Sequence, residues 1–241
     1  MELSIDLHIH STLSPCGSDD MTPNNIINMS YIKGLDVISI TDHNTMLNYG
    51  PAYKIAKKKG ITLIPGIEVT TKEEVHILCY FDDFKLAYEF GKIIYNSLPN
   101  IKNQNDIFGN QYICDESDEV VGSLDKLLLN STTFSIKEVN KLIKNYKGVM
   151  IPAHVDRKSY SILGTLGFIP DYLDITTIEV SNRPRLSKIN KFTDLSKYNI
   201  IENSDAHYLQ DINERINYIY PKENQVKSIL EYLSKFWGNN Q

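Results

Sequence analysis

This chain has little of what would mark it for export, a membrane or a polyanion. Its N-terminus, MELSIDLHIH, has neither the basic start nor the long apolar stretch of a signal peptide. No run approaches the roughly 20 apolar residues of a membrane span, so no membrane partner is expected. Cysteine is scarce. Cys16, Cys79 and Cys114 form an odd set without paired spacing, which argues against a disulfide framework and for a reducing, cytoplasmic setting. Basic charge is not in excess either. The formal net charge is −5, and long nucleic acid is disfavoured because a general binder shows a basic patch. No internal repeat, low-complexity linker or second domain stands out, so residues 1–241 are expected to form a single domain.

What is present is an ordinary globular composition, 41% hydrophobic and 23% charged, with an unusual placement of histidine. All six histidines stand beside other metal-binding residue types at the edges of short apolar runs: His8 and His10 in IDLHIH, His43 in ISITDH, His76 in EEVHILCY, His154 in VMIPAH and His207 in NSDAH. Imidazole is the commonest metal ligand. The apolar runs read as strands at Ser4–His8, Asp36–Thr41, Thr62–Pro65 with Glu68–Thr70, Val75–Tyr80, Gly148–Ala153, Thr177–Val180 and Ile200–Glu202. Helical patterns lie between them near Pro23–Lys33, Leu47–Lys59, Phe84–Ser97, Ile136–Lys147 and Arg185–Ser196, and a closing amphipathic helix is expected at Lys222–Phe236. Repeated strand–helix alternation predicts an α/β fold with a mostly parallel sheet. A barrel explains better than an open sheet why candidate ligands come from so many strand ends.

Each motif has a plain structural explanation when taken singly. In a strand, His8 and His10 point to the same side and could chelate one ion, yet HxH alone is a weak signal. Asp42, His43 and Asn44 could serve equally as a turn, since Asp and Asn bond their own backbone. His76 could be a hydrogen-bonded core histidine. Glu68, flanked by Ile67 and Val69, is harder to explain, because a carboxylate is rarely buried without a partner. Asp205 and His207 repeat the i, i+2 pattern. Taken jointly, His8, His10, Cys16, His43, Glu68, His76, His154, Asp205 and His207 offer more donors than the about four that one zinc ion takes.

The order HxH, TDHN, GIE, a lone strand histidine, PAH and SDAH resembles the PHP (polymerase and histidinol phosphatase) domain family, over nearly the whole chain from Ser4 to about Asp211. The resemblance implies a distorted (β/α)7 TIM-like barrel, two or three divalent metal ions (Zn, Mn or Fe) and metal-dependent phosphoester hydrolysis. Carried over by motif, His8, His10, Glu68 and Asp205 would hold one ion. Glu68 as a bridge, His76 and His154 would hold a second. His43, His207 and a loop residue would hold a third. Cys16 stands at the loop position that a histidine takes in some members, with Asp19 and Asp20 beyond it, and a thiolate suits Zn or Fe.

The expected chemistry follows from charge. Water between two divalent ions loses a proton near neutral pH, since one zinc can lower its pKa to about 7, and the hydroxide attacks phosphorus in line. Glu68 and Asp205 would be the catalytic carboxylates, and Asp42 would fix His43 or His207 from behind. The chain has only four arginines, Arg157, Arg183, Arg185 and Arg215. The first three follow strand ends, where bidentate phosphate contacts are expected. The expected substrate is a small phosphomonoester. A nuclease or nucleotide phosphatase, or a non-catalytic metal-binding module, is the alternative. The oligomeric state stays open. Residues 99–133 break the strand–helix rhythm and carry the acidic run DESDE, expected to be a helical insertion that is either solvated surface or a lid.

Overall fold

Strand β1 (Leu3–Ile9) is buried along its whole length, although apolar and polar residues alternate in it. A strand covered on both sides is normally apolar throughout. Here Ser4, Asp6 and His8 are buried with Leu3, Ile5 and Leu7, so the polar groups need partners inside the protein. The computed structural model describes residues 1–186 and 193–238.

The remaining strands are β2 (Val37–Ile40), β3 (Thr62–Leu63), β4 (Gly66–Thr70), β5 (His76–Tyr80), β6 (Tyr112–Cys114), β7 (Val120–Ser123), β8 (Val149–Pro152), β9 (Thr177–Val180), β10 (Asn199–Glu202) and β11 (Tyr218–Ile219). The helices among the described residues are α1 (Pro23–Ile32), α2 (Tyr49–Lys59), α3 (Phe84–Asn96), α4 (Asn105–Phe108), α5 (Ile136–Asn145), α6 (Ile162–Leu166) and α7 (Val226–Leu233). Their ends follow local chemistry. Thr22 caps α1 by accepting the Asn25 N–H, with Pro23 next. Gly60 ends α2 at φ 75° after three lysines. Ser135 and Glu138 form a capping box on α5. Half of the helix expected at Arg185–Ser196 falls on residues 187–192, outside the described ones. A short 3-10 turn, Arg183–Arg185, precedes them.

The fold is mixed α/β. Its described strands form four sheets, ordered β11-β1-β2-β3, β10-β9, β4-β5-β8 and β6-β7, rather than one closed barrel. Single links join the first three in a circuit. His43 bridges to Glu68, Ile9 bridges to Ala206, and the Val155 N–H donates to Glu179 O at 2.9 Å. The pairing departs from the expected parallel order at β11, which is antiparallel to β1, and at β5, which is antiparallel to both β4 and β8. Only residues 71–75 separate β4 from β5, too few for the crossover that a parallel pair needs.

Two apolar layers flank the strands. Ile67 and Val69 of β4 and Ile178 and Val180 of β9 face the larger core, with residues of α1, α2, α3 and α5. Leu3, Ile5 and Leu7 pack with Leu78, Tyr80, Ile151, Ile201 and the α7 residues Ile229, Leu230 and Leu233. Residues 99–133 are not the expected helical insertion. They hold the single turn α4 and the hairpin β6–β7, where Tyr112, Ile113, Val120 and Val121 suit an extended chain. No helix among the described residues is long and apolar enough to cross a membrane.

Candidate metal centre

Alternation along the strands aims the polar groups. Glu68 and Glu179 each sit between residues of the larger core and so face the other way. The β1–β2 register slips between Asp6 and Ile9, in the segment that carries His8. Because β5 runs in reverse, its first residue, His76, lies at the rim where β4 and β8 present Glu68 and His154. Asn44, His154 and Asp205 adopt positive φ angles of 53°, 30° and 53°. Such conformations are costly for non-glycine residues and cluster at functional sites.

The side chains converge. His8 Nε2 lies 3.2 Å from His10 Nε2, 3.2 Å from Glu68 Oε1 and 3.3 Å from Asp205 Oδ1. His10 Nε2 is 3.0 Å from Asp205 Oδ1. Glu68 also meets His43 Nδ1 at 2.8 Å, His76 Nδ1 at 2.9 Å and His154 Nε2 at 3.4 Å. Three sets of donor atoms each lie within 4.8 Å of one another: His8, His10 and Glu68; His43, Glu68 and His76; and His10, His43 and His207. Glu68 thus joins two sets, as a bridging carboxylate would. The division expected for His43 is less clean, because it faces Glu68 as well as the His207 side. Cys16, at the exposed rim, has its Sγ 3.1 Å from His207 Nε2.

Hydrogen bonding tests whether these residues suit metal ions. Both oxygens of buried Glu68, His43 Nδ1 and His154 Nδ1 have no hydrogen-bond partner. An unpaired buried carboxylate is costly, whereas a cation would satisfy it. Several outward-facing ring nitrogens are already engaged. His8 Nδ1 lies 3.0 and 3.1 Å from the two oxygens of Glu179. His207 Nδ1 meets Asp205 O at 2.8 Å. A metal-binding imidazole is normally held in this way through its other nitrogen. The donor set fits divalent metal.

Electrostatics agree. Burial opposes ionisation of Glu68, yet His76, His8 and His43 hold its carboxyl well below the usual range. Burial likewise opposes the Asp205 charge, but His8 and His10 hold it low. Burial disfavours a charged His8, but Glu179, Asp205 and Glu68 raise it well above 6.5. His10 is pushed the other way by burial, His207 and His43. Partial burial resists ionisation of Cys16, but His43 and His207 bring the thiol down to about 6. The cluster therefore draws positive charge, and metal ions could supply it in place of protons.

A cavity of about 310 Å³ opens beside the cluster, lined by His43, His76, His154, Arg157, Lys158, Ser159, Tyr160, Asp205 and His207. A larger cavity of about 910 Å³ lies between α2 and α3 and touches none of the clustered groups. We place the chemistry in the smaller one. Of the three arginines expected there, only Arg157 lines it, donating from Nη1 to Asp205 Oδ2 at 2.6 Å. Arg183 donates to Ile200 O at 2.9 Å and lines a separate cavity, and Arg185 reaches toward Asp156 at 3.7 Å. A position just after a strand does not fix which way a long side chain turns. Asp42 accepts from Ser11 and Ser14 and bonds neither His43 nor His207.

Reading the sequence missed Glu179, Ser14, Lys158 and Tyr160. Glu179 carried a usable signal, since the triplet Ile-Glu-Val occurs at both 67–69 and 178–180. Ser14 carried none. None of the described insertion residues lines the small cavity, so they form no lid in this conformation. They pack on the Cys16 loop instead, where Tyr112 N donates to Thr12 O at 2.8 Å.

A 5'-3' exoribonuclease of Haemophilus influenzae is 35% identical over 81 residues, 32% of this chain and 28% of that protein. A phosphoribosyl 1,2-cyclic phosphate 1,2-diphosphodiesterase of Eggerthella lenta is 32% identical over 78 residues, 30% of this chain and 29% of that one. The matches therefore span under a third of these relatives. The lesion-specific endonuclease EndoQ of Pyrococcus furiosus shares the fold, with a TM-score of 0.66 at 18% identity over 97% of this chain and 56% of its own. The model of the PHP domain matches residues 6–155, more than half of the sequence, and the chain belongs to the PHP domain family.

Proposed function

We propose that this chain is a metal-dependent phosphoesterase that cleaves a small phosphomonoester in the cavity beside His154 and Asp205. The observation that carries the reading is Glu68, a buried carboxylate whose two oxygens lie among His8, His43, His76 and His154 without a hydrogen bond. His8, His10, Glu68 and Asp205 would hold one ion and Glu68, His76 and His154 a second, with His43, His207 and Cys16 completing a third position. Bound divalent ions, Zn, Mn or Fe, supply Lewis acidity toward a phosphoryl group and acidify water. We read residues 1–241 as one domain, with the linked circuit of β1, β2, β4, β5, β8, β9 and β10 as a distorted seven-stranded barrel.

The protein's own groups divide the remaining work. Asp205 turns Oδ1 toward the histidines while Arg157 holds Oδ2 at 2.6 Å. That contact fixes the carboxylate and keeps the guanidinium at the cavity wall, where it can meet phosphate oxygens. Lys158 lines the same cavity with no hydrogen bond or ion pair among the described residues. It is a second cation for a dianionic phosphate. The cavity, about 310 Å³, is at the small end of ligand sites.

A nuclease or nucleotide phosphatase is the second reading. It is favoured by the half-exposed Tyr160, whose ring stacks on His76 at 4.8 Å and could carry a base. The exoribonuclease and endonuclease relatives support it too. Removing metal with a chelator and restoring Mn or Zn should abolish and restore hydrolysis of an aryl phosphate. Preference for oligonucleotide ends would favour the second reading. Metal-replete protein inert toward phosphomonoesters, diesters and oligonucleotides alike would overturn both, leaving a non-catalytic metal-binding module.

A further inference from the structure

Behind His10 stands a buried hydroxyl with three polar neighbours. Ser14 Oγ lies 2.7 Å from Asp42 Oδ1 and 2.8 Å from His10 Nδ1, and it accepts the His43 backbone N–H at 3.2 Å. A hydroxyl has one proton to give. It must go either to Asp42 or to His10.

The surroundings of Asp42 decide between them. Its Oδ1 accepts the Ser11 N–H at 2.7 Å, and its Oδ2 faces the Ser11 hydroxyl at 2.6 Å. Ser11 Oγ itself accepts from Asn48 Nδ2 at 2.9 Å, so its own proton points to Asp42. Asp42 is ringed by donors and acts as an acceptor throughout. Of the two candidates for the Ser14 proton, a carboxylate is the stronger acceptor. The lone pair left on Ser14 then faces His10 Nδ1, which carries the ring proton once a cation meets Nε2 on the Asp205 and Glu68 side.

We propose that Ser14 is a positioning residue whose hydroxyl, ordered by Asp42, locks His10 as its Nδ1–H tautomer. Nε2 is thereby turned to Asp205 at 3.0 Å, His8 at 3.2 Å and Glu68 at 3.5 Å. The same hydroxyl ties the His10 ring to the His43 backbone, so one side chain sets two candidate ligands. The neighbouring imidazole is handled differently, because His8 Nδ1 faces the Glu179 carboxylate directly. The inference rests on reading the cluster as a metal centre, but on no particular hydrolytic activity.

The test is nitrogen NMR of the zinc-loaded full chain at neutral pH, with the His10 signals assigned from His10→Asn. The expected spectrum shows a protonated Nδ1 and an unprotonated Nε2 for His10. In Ser14→Ala the Nδ1 proton loses its acceptor and should exchange faster with water, and zinc affinity should fall by about 10- to 100-fold, the usual cost of losing such a partner. Ser14→Thr, which keeps the hydroxyl, should restore both. A His10 ring protonated at Nε2 in the wild-type protein overturns the proposal, whether or not either serine variant folds. So does unchanged zinc affinity in folded Ser14→Ala. Neither readout needs turnover, so an inactive but metal-binding protein would leave this inference standing while the phosphoesterase reading failed.

Discussion

His43 Nδ1 and Glu68 Oε2 lie 2.8 Å apart, both buried, and make no hydrogen bond. The ring nitrogen and the oxygen are close enough but wrongly directed, since a hydrogen bond needs a near-linear proton. A cation that takes the place of the His43 proton is the arrangement that relieves both. Zn or Mn should therefore stabilise the metal-free protein, by roughly 2.7 kcal/mol at 100 times the dissociation constant. Glu68→Gln should lose most of that gain and most of the bound metal. Thermal melts with elemental analysis check this, and equal metal content in the variant would contradict it.

Metal binding should strengthen as pH rises. His8 and His43 are both buried, which disfavours their charge, but Glu179, Asp205 and Glu68 around His8 and Glu68 and Cys16 around His43 raise them well above 6.5. They therefore hold protons in the metal-free protein, and an ion must displace those protons. A raised folded-state value also means that these histidines stabilise the metal-free fold fully below about 6.5 and lose that contribution as pH climbs through the raised values. Calorimetry in buffers of different ionisation enthalpy should show proton release on zinc binding. Affinity independent of pH between about 6 and 8 would contradict the assignment.

Arg157 and Arg183 should separate cleanly. Arg157→Ala removes a charge-assisted contact to Asp205 and a cation from the cavity, so kcat/KM should fall by about 10- to 100-fold, equivalent to about 1.5–3 kcal/mol. Arg183→Ala should change it little, because Arg183 lines another cavity. Steady-state kinetics on a phosphoester that the protein turns over would show the contrast. Equal losses would mean that the cavity has been placed wrongly.

Gly109→Ala should loosen the loop that carries Cys16. Gly109 has φ +97°, and a Cβ there would collide with the backbone oxygen of Pro15. Backbone strain of this kind costs about 1–3 kcal/mol, before any shift of the loop. The denaturation midpoint should drop, and alkylation of Cys16 should quicken. An unchanged midpoint with unchanged alkylation would show that the Gly109 turn does not clamp this loop.

Most strands and helices could be read from local patterns, because burial periodicity and capping are local. His8, His10, His43, Glu68, His76, His154, Asp205 and His207 were legible as one group because strand ends gather them and no packing role explains them jointly. Glu179 was legible in principle but overlooked, since one buried glutamate between β-branched neighbours looks like another. The reversal of β5 and the hairpin in residues 99–133 were misread. Both depend on connection length and on pairing partners, which the strand–helix rhythm does not register.

By itself the sequence determined which donors exist and roughly where along each element they fall, because alternation along a strand decides what faces inward. Only the tertiary structure decided which donors share a point in space. It turned Arg183 and Arg185 away from the cavity, set Ser14 between Asp42 and His10, and brought Cys16 to His207 across 191 positions of the chain. Those relationships depend on side-chain direction and on contacts between distant segments, and a residue's position in the chain constrains neither.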